Sequence, residues 1–183
     1  LKEGNEPQAG NKFSYYSIAT MALYSKQNEQ ADSLIQFSLS KLTAENGYAE
    51  FPYLYYLAGV VKMQHLDGDA KIYFDKFLAL TRGKNNIKST YQKLAWLSLI
   101  SDDIEAYELY MNKLDNSGQA LIDADVQAQK EYDKKTPPNK DLLKARLLFD
   151  GGYFNEALNI LESTTYNVNS NLPKKLEKIY RMA

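Results

Sequence analysis

Apolar residues recur along this chain every three or four positions, in short segments separated by turn-forming residues. This spacing is typical of amphipathic α-helices, whose apolar faces pack inward. The clearest example is residues 142–162 (LLKARLLFDGGYFNEALNILE), where the periodic pattern stands on both sides of Gly151-Gly152. Glycine adopts positive φ without a Cβ clash, so the pair predicts a tight turn between two antiparallel helices.

The same pattern predicts helix pairs near residues 12–47, 51–83, 87–117 and 138–166, and a partial repeat at 172–183. Residues 118–136 break the spacing and predict an insertion helix with a thin apolar face, lying across the stack or lengthening it. Residues 1–11 are polar and predict a disordered lead-in. One hairpin cannot bury both of its faces, so the pairs are expected to stack as a single domain over 12–183.

Particular residues mark the faces and ends of these helices. Expected helix starts are Pro52, Asn85 or Asn86, Asp102 or Asp103, Asp123 and Asn139, and expected ends are Asn46-Gly47 and Gly83. The residues expected to face inward in the first three pairs are Tyr15, Ile18, Ala19, Ala22, Ala31, Ile35, Ser38, Leu42, Leu54, Leu57, Ala58, Val61, Ala70, Phe74, Phe77, Tyr91, Leu94, Ala95, Ser98, Ile104, Tyr107, Met111 and Leu114.

The order of small and large apolar residues in 142–162 resembles the tetratricopeptide repeat, a helix–turn–helix of about 34 residues. The matching positions are Ala145, Leu148, Phe154, Ala157 and Leu161, whereas Asp141 stands where an early aromatic is expected. Residues 53–78, 87–100 and 142–158 together resemble a group of tetratricopeptide-like proteins from Bacteroidetes bacteria. The resemblance implies an all-α fold, a right-handed superhelix of antiparallel helix hairpins without a known active site.

Composition excludes several classes of function. The formal net charge of −1 gives no general attraction to nucleic acids or to anionic lipid. No apolar run approaches the roughly 20 residues that span a bilayer. The chain has no cysteine, which removes disulfides and thiolate chemistry.

The titratable residues form no recognisable catalytic or metal-binding motif. His65 is the one histidine and is expected at the surface or in a turn. Asp67-Gly68-Asp69 and Asp123-Ala124-Asp125 lack the spacing of a calcium-binding loop, so caps and turns account for both. We therefore expect no catalytic residue, cofactor or metal, and an enzyme is the weakest of three functional hypotheses.

The aromatic residues are the strongest functional signal. Eight of them, close together in sequence, cannot all point into a core: Tyr53, Tyr55, Tyr56, Tyr73, Phe74, Phe77, Tyr91 and Trp96. In the superhelix that the resemblance implies, the first helix of each pair lines the concave groove. Tyr55, Lys62, Gln92 and Trp96 would then face a protein or peptide partner, although packing inside the core or between repeats is the alternative for each aromatic.

The sequence thus predicts a non-enzymatic interaction module within a larger bacterial protein. The alternative is a structural or regulatory segment, such as the sensor arm of a signalling protein or an envelope lipoprotein scaffold. The compartment is left open between cytoplasm and periplasm. The last predicted helix lacks a partner, which also allows a homodimer through the C-terminal edge.

Overall fold

A computed structural model describes residues 11–44 and 51–164, and these residues form nine helices and no strand. The all-α prediction is therefore confirmed for this part of the chain. The helices are α1 (Asn11–Tyr24), α2 (Asn28–Ala44), α3 (Pro52–Gln64), α4 (Ala70–Leu80), α5 (Ile87–Ile100), α6 (Ile104–Asn116), α7 (Asp123–Asp133), α8 (Lys140–Gly151) and α9 (Phe154–Ser163).

Consecutive helices pack as hairpins: α1 on α2, α3 on α4, α5 on α6, and α8 on α9. The first three hairpins are joined through α2 against α3 and α4 against α5. Phe77 and Ile35 are buried between the first two hairpins, and Phe74, Leu94 and Leu114 are buried between the second and third. These buried residues lie on the faces predicted to point inward.

Three of the predicted helix starts are confirmed, whereas α4 ends at Leu80, before the predicted end at Gly83. Pro52 is the first residue of α3, where its missing N–H costs no hydrogen bond. The Asp103 carboxylate accepts a hydrogen bond from the Ala106 N–H at 2.9 Å. The Asn139 side-chain oxygen likewise accepts from the Leu142 N–H at 3.0 Å. The two polar side chains therefore cap α6 and α8.

Two residues predicted to face inward lie at the surface. Ile18 is 45% exposed and Ile104 is 52% exposed. In α1 the small residues Ala19 and Ala22 carry the buried contact, which turns Ile18 away from the neighbouring helices. Ile104 is the first residue of α6, so it precedes the buried face that begins at Tyr107.

The fourth hairpin folds back over the earlier ones. Helix α8 packs against α3 and α5, and Leu143 and Leu147 join the core of the second and third hairpins. The α8–α9 turn then reaches the α1–α2 turn, where the Lys26 ammonium donates to the Phe149 carbonyl at 3.0 Å. Gly152 ends α8 with φ of 90°, confirming the predicted glycine turn. The fourth hairpin thus closes on the first.

Several predictions fall on residues that the structure does not describe. These are the lead-in at 1–10, the Asn46-Gly47 helix end and the partial repeat at 172–183. The side chains of Tyr15 and Leu42 are likewise outside the described set. A homodimer through the C-terminal edge stays a prediction.

Candidate partner-binding cleft

Tyr55 faces α4, the second helix of its own hairpin, whereas Lys62 faces α2 of the first hairpin. Tyr55 is only 5% exposed, and the Lys76 ammonium of α4 lies 4.4 Å from its ring centroid. The Lys62 ammonium lies 3.1 Å from the Asp32 carboxylate of α2 and 3.8 Å from that of Asp67. Burial opposes the charge on Lys62, but these carboxylates outweigh it and raise the pKa of the amine. Both side chains are therefore engaged within the chain.

Gln92 and Trp96 lie on a different surface, beneath α7. The Trp96 indole N–H donates to the Glu131 carboxylate at 2.6 Å, and the Gln92 amide donates to the same carboxylate at 3.0 Å. Both side chains are buried. The four side chains thus lie on different surfaces, because Tyr55 packs under α4, Lys62 pairs with α2, and Gln92 and Trp96 lie beneath α7. Whether they contact a partner stays a prediction.

A side chain of α7 also caps the N-terminus of α5. The Asp125 carboxylate is fully buried and accepts hydrogen bonds from the backbone N–H of Asn86 at 2.7 Å and of Ser89 at 2.8 Å. Asn86 holds the cap position with φ of 63° and makes no side-chain cap of its own. Asp123 was expected to cap α7 but lies inside its first turn, with Ile122 at the cap position. The negative charge at the α5 N-terminus is favourable.

Replacing Asp125 with alanine is expected to lower the free energy of unfolding by about 2–4 kcal/mol, since two charge-assisted hydrogen bonds are lost and two N–H groups lose their acceptor. Urea unfolding followed by the fluorescence of Trp96 measures this change. Asp123→Ala is the matched control because Asp123 is exposed, and it should change stability by under about 0.5 kcal/mol. Equal losses in the two variants would contradict the capping role.

An open cleft of about 620 Å³ lies between the first helices of the hairpins and the start of α7. Its wall carries four tyrosines, Tyr16 and Tyr24 from α1 and Tyr53 and Tyr56 from α3. Tyr24 is 84% exposed, so its ring is available to a ligand. The other lining residues are Thr20, Leu23, Lys26, Leu57, Val60, Gln64, Asn86, Lys93, Ile122, Asp123, Ala124 and Asp150.

Positively charged, negatively charged and uncharged polar residues also line this cleft. The Lys93 ammonium lies 5.3 Å from the Tyr56 ring centroid, and the Lys26 ammonium lies 3.8 Å from the Asp150 carboxylate. The side-chain oxygen of Gln64 is buried and accepts no hydrogen bond. A second cleft of about 360 Å³ shares Gln64, Lys93 and Asp150 and continues beneath α7 to Trp96.

Burial raises the pKa of Asp150, against the opposing effect of Arg146 and Lys26. The folded state therefore binds this proton at a higher pH than the unfolded state, and the free energy of unfolding falls as pH rises through the folded pKa. We expect the wild type to gain stability relative to Asp150→Asn as pH is lowered from about 7 to about 4. Urea unfolding of both proteins across this range tests it, and a difference that stays constant with pH would contradict it.

The remaining chemical candidates make contacts within the chain. His65 is exposed at the end of α3, and its ring stacks on Tyr153 with centroids 4.8 Å apart. The Asp67 carboxylate accepts the Asp69 N–H at 2.9 Å, which closes the turn after α3. In residues 11–44 and 51–164, no three His, Cys, Asp or Glu side chains group so as to hold a metal ion. Within the same residues, no helix has the length and apolar character needed to cross a bilayer.

No known family model, curated protein or solved structure matches this chain. The likeness to tetratricopeptide proteins therefore stands on the residue pattern alone. What is established for residues 11–44 and 51–164 is an all-α arrangement of stacked hairpins, with one further helix over Trp96 and Gln92.

Proposed function

We propose that this chain is a tetratricopeptide-like, non-enzymatic interaction module of a larger bacterial protein, and that its cleft binds an extended peptide segment of a partner protein. The observation that carries the proposal is the tyrosine wall formed by Tyr16, Tyr24, Tyr53 and Tyr56. Tyrosine combines apolar contact area with a hydroxyl at its tip, and it is enriched at binding hot spots.

The polar groups of the cleft favour a peptide over a purely apolar ligand. Lys93 and Asp123 place opposite charges in the cleft, and Thr20, Gln64 and Asn86 add polar groups to its lining. An extended peptide supplies a donor and an acceptor at nearly every residue. Its side chains can alternate between the tyrosine wall and solvent.

Replacing Tyr24 with alanine is expected to weaken peptide binding by about tenfold or more, while the fold survives because the side chain is mostly exposed. Peptides are first selected on the wild type from a random display library, and affinities are then measured by fluorescence polarisation. Leu109→Ala is the control, since Leu109 is an exposed apolar residue of α6 outside the cleft. Equal affinity for both variants would contradict the proposed site, and a library that yields no binder would contradict peptide binding.

The second candidate is a structural or regulatory segment, as in a sensor arm or an envelope scaffold. The contact of the α8–α9 turn with the α1–α2 turn favours it, because a closed array can serve as a rigid spacer. The full-length gene separates the two uses. A kinase or DNA-binding domain downstream would favour regulation, and a lipoprotein signal upstream would favour the envelope.

A further inference from the structure

Helix α7 is held in place by polar contacts together with limited apolar packing of Ala128 and Tyr132 against the core. Of its eleven residues only Asp125 and Ala128 are buried. The Glu131 carboxylate receives the Trp96 and Gln92 hydrogen bonds, and Asp125 receives those of the α5 N-terminus. The apolar burial that usually fixes a helix is therefore small for α7.

The segments that connect α7 to its neighbours are irregular. Residues 117–122 contain Gly118 with φ of 64°, and residues 134–139 contain the Pro137-Pro138 pair. Neither connection continues a helix into α7. The helix is consequently tethered at both ends but can leave its position without unwinding α6 or α8.

Four hydrogen-bond donors beneath α7 meet its two carboxylates, Asp125 and Glu131. Two are the backbone N–H groups of Asn86 and Ser89, and two are the side-chain N–H groups of Trp96 and Gln92. Ala128 lies between the two carboxylates on α7 and is fully buried, so a small side chain is required there. A helix that fits this surface must carry an acid, a small residue and an acid at positions i, i+3 and i+6.

We propose that α7 is a displaceable occupant of this surface, and that an amphipathic helix of a partner protein with this acid–small–acid pattern takes its place. The inference rests on the proposed interaction function and names a partner chemistry for it. Ala124 of α7 lines both clefts, so departure of α7 opens the smaller cleft and exposes Trp96 to the partner.

Because α7 is covalently connected to α6 and α8, a partner helix must compete with it for the same surface. A tethered helix competes at an effective concentration in the millimolar range. A partner helix therefore binds the wild type weakly, and binds a chain with a weakened α7 contact more tightly.

Hydrogen exchange of the wild-type chain tests displacement without any substitution. Because α7 opens locally, its backbone amides are expected to exchange at least tenfold faster than those of the buried parts of α3 and α5. Exchange of α7 at the same rate as these two helices would overturn the proposal, because α7 would then open only with the whole fold.

Binding in trans tests the partner chemistry. The probe is a synthetic peptide with the sequence of residues 120–136, titrated into the full chain carrying Glu131→Ala and into the wild type, with Trp96 emission as the readout. We expect at least tenfold tighter binding to the variant, and loss of that gain for a control peptide carrying Asp125→Asn and Glu131→Gln. Equal binding of the two peptides, or no binding to a variant that hydrogen exchange shows to be folded, would overturn it.

The outcome is separable from that of the cleft assay. The display selection depends on Tyr24, whereas the helix probe is read out at Trp96 and depends on the two acids. Loss of peptide binding at the tyrosine wall with retained probe binding would remove the proposed cleft site and leave the α7 surface. The reverse result would leave the cleft and overturn the α7 proposal.

Discussion

Gly152→Ala is expected to lower the free energy of unfolding by about 3 kcal/mol. Gly152 has φ of 90°, which costs a residue with a side chain about 1–2 kcal/mol. A Cβ there would also overlap the backbone carbonyl oxygen of Lys26, which cannot move aside as a flexible side chain could. The substitution therefore separates the fourth hairpin from the first. Chemical unfolding followed by circular dichroism measures the loss.

The matched control for this position is Gly68→Ala. Gly68 lies in the exposed turn before α4, and a Cβ there would meet no atom within 4 Å. That variant should be neutral or slightly more stable, because alanine restricts the unfolded chain. If Gly152→Ala were as harmless as Gly68→Ala, the close approach of the two turns would be wrong.

Phe74→Ala is expected to have the largest effect in the core, about 3–5 kcal/mol. The ring is fully buried and fills the space where Gly59 of α3 lacks a side chain. Its removal leaves a cavity that α3 and α4 cannot fill without moving. Thermal or urea unfolding gives the magnitude. Ile72→Ala on the exposed face of the same helix should cost under about 1 kcal/mol, and a similar cost for both would contradict the assigned core.

Features that depend on nearby residues could be predicted from the sequence. The α4 residues Ala70, Phe74 and Phe77 repeat at helical spacing, and all three are fully buried. Asp103 and Asn139 cap the helices that begin next to them, because a capping side chain reaches N–H groups only two or three residues away. These signals identify the helices and most of their inward-facing residues.

Features that depend on distant residues could not be predicted in this way. Asp125 caps α5 from 36 to 39 positions further along the chain, and no local pattern reports such a partner. The sequence predicts a helix end at Gly152, but the close contact of Gly152 with Lys26 depends on the return of the fourth hairpin. The burial of Tyr55 and Trp96 likewise depends on where α4 and α7 pack.

The candidate cleft was foreseen only in part. The sequence predicts more aromatic residues than the core can hold, and two of these, Tyr53 and Tyr56, line the cleft. The four residues predicted from the helical period to contact a partner do not line this cleft; they are Tyr55, Lys62, Gln92 and Trp96. The period separates the inward face from the rest of a helix, but it does not show which outer positions a later helix will cover.

The fourth hairpin returns to the first, and α8 packs against α3 and α5. The chain has no cysteine, so spin labels at Ser25→Cys and Asn155→Cys, both exposed sites, report one distance by double electron–electron resonance. The closed arrangement predicts a single narrow distribution of label-to-label distances at roughly 20 Å, about twice the distance between packed helix axes. An open array, with the second and third hairpins between the labels, would give about 40 Å and would contradict it.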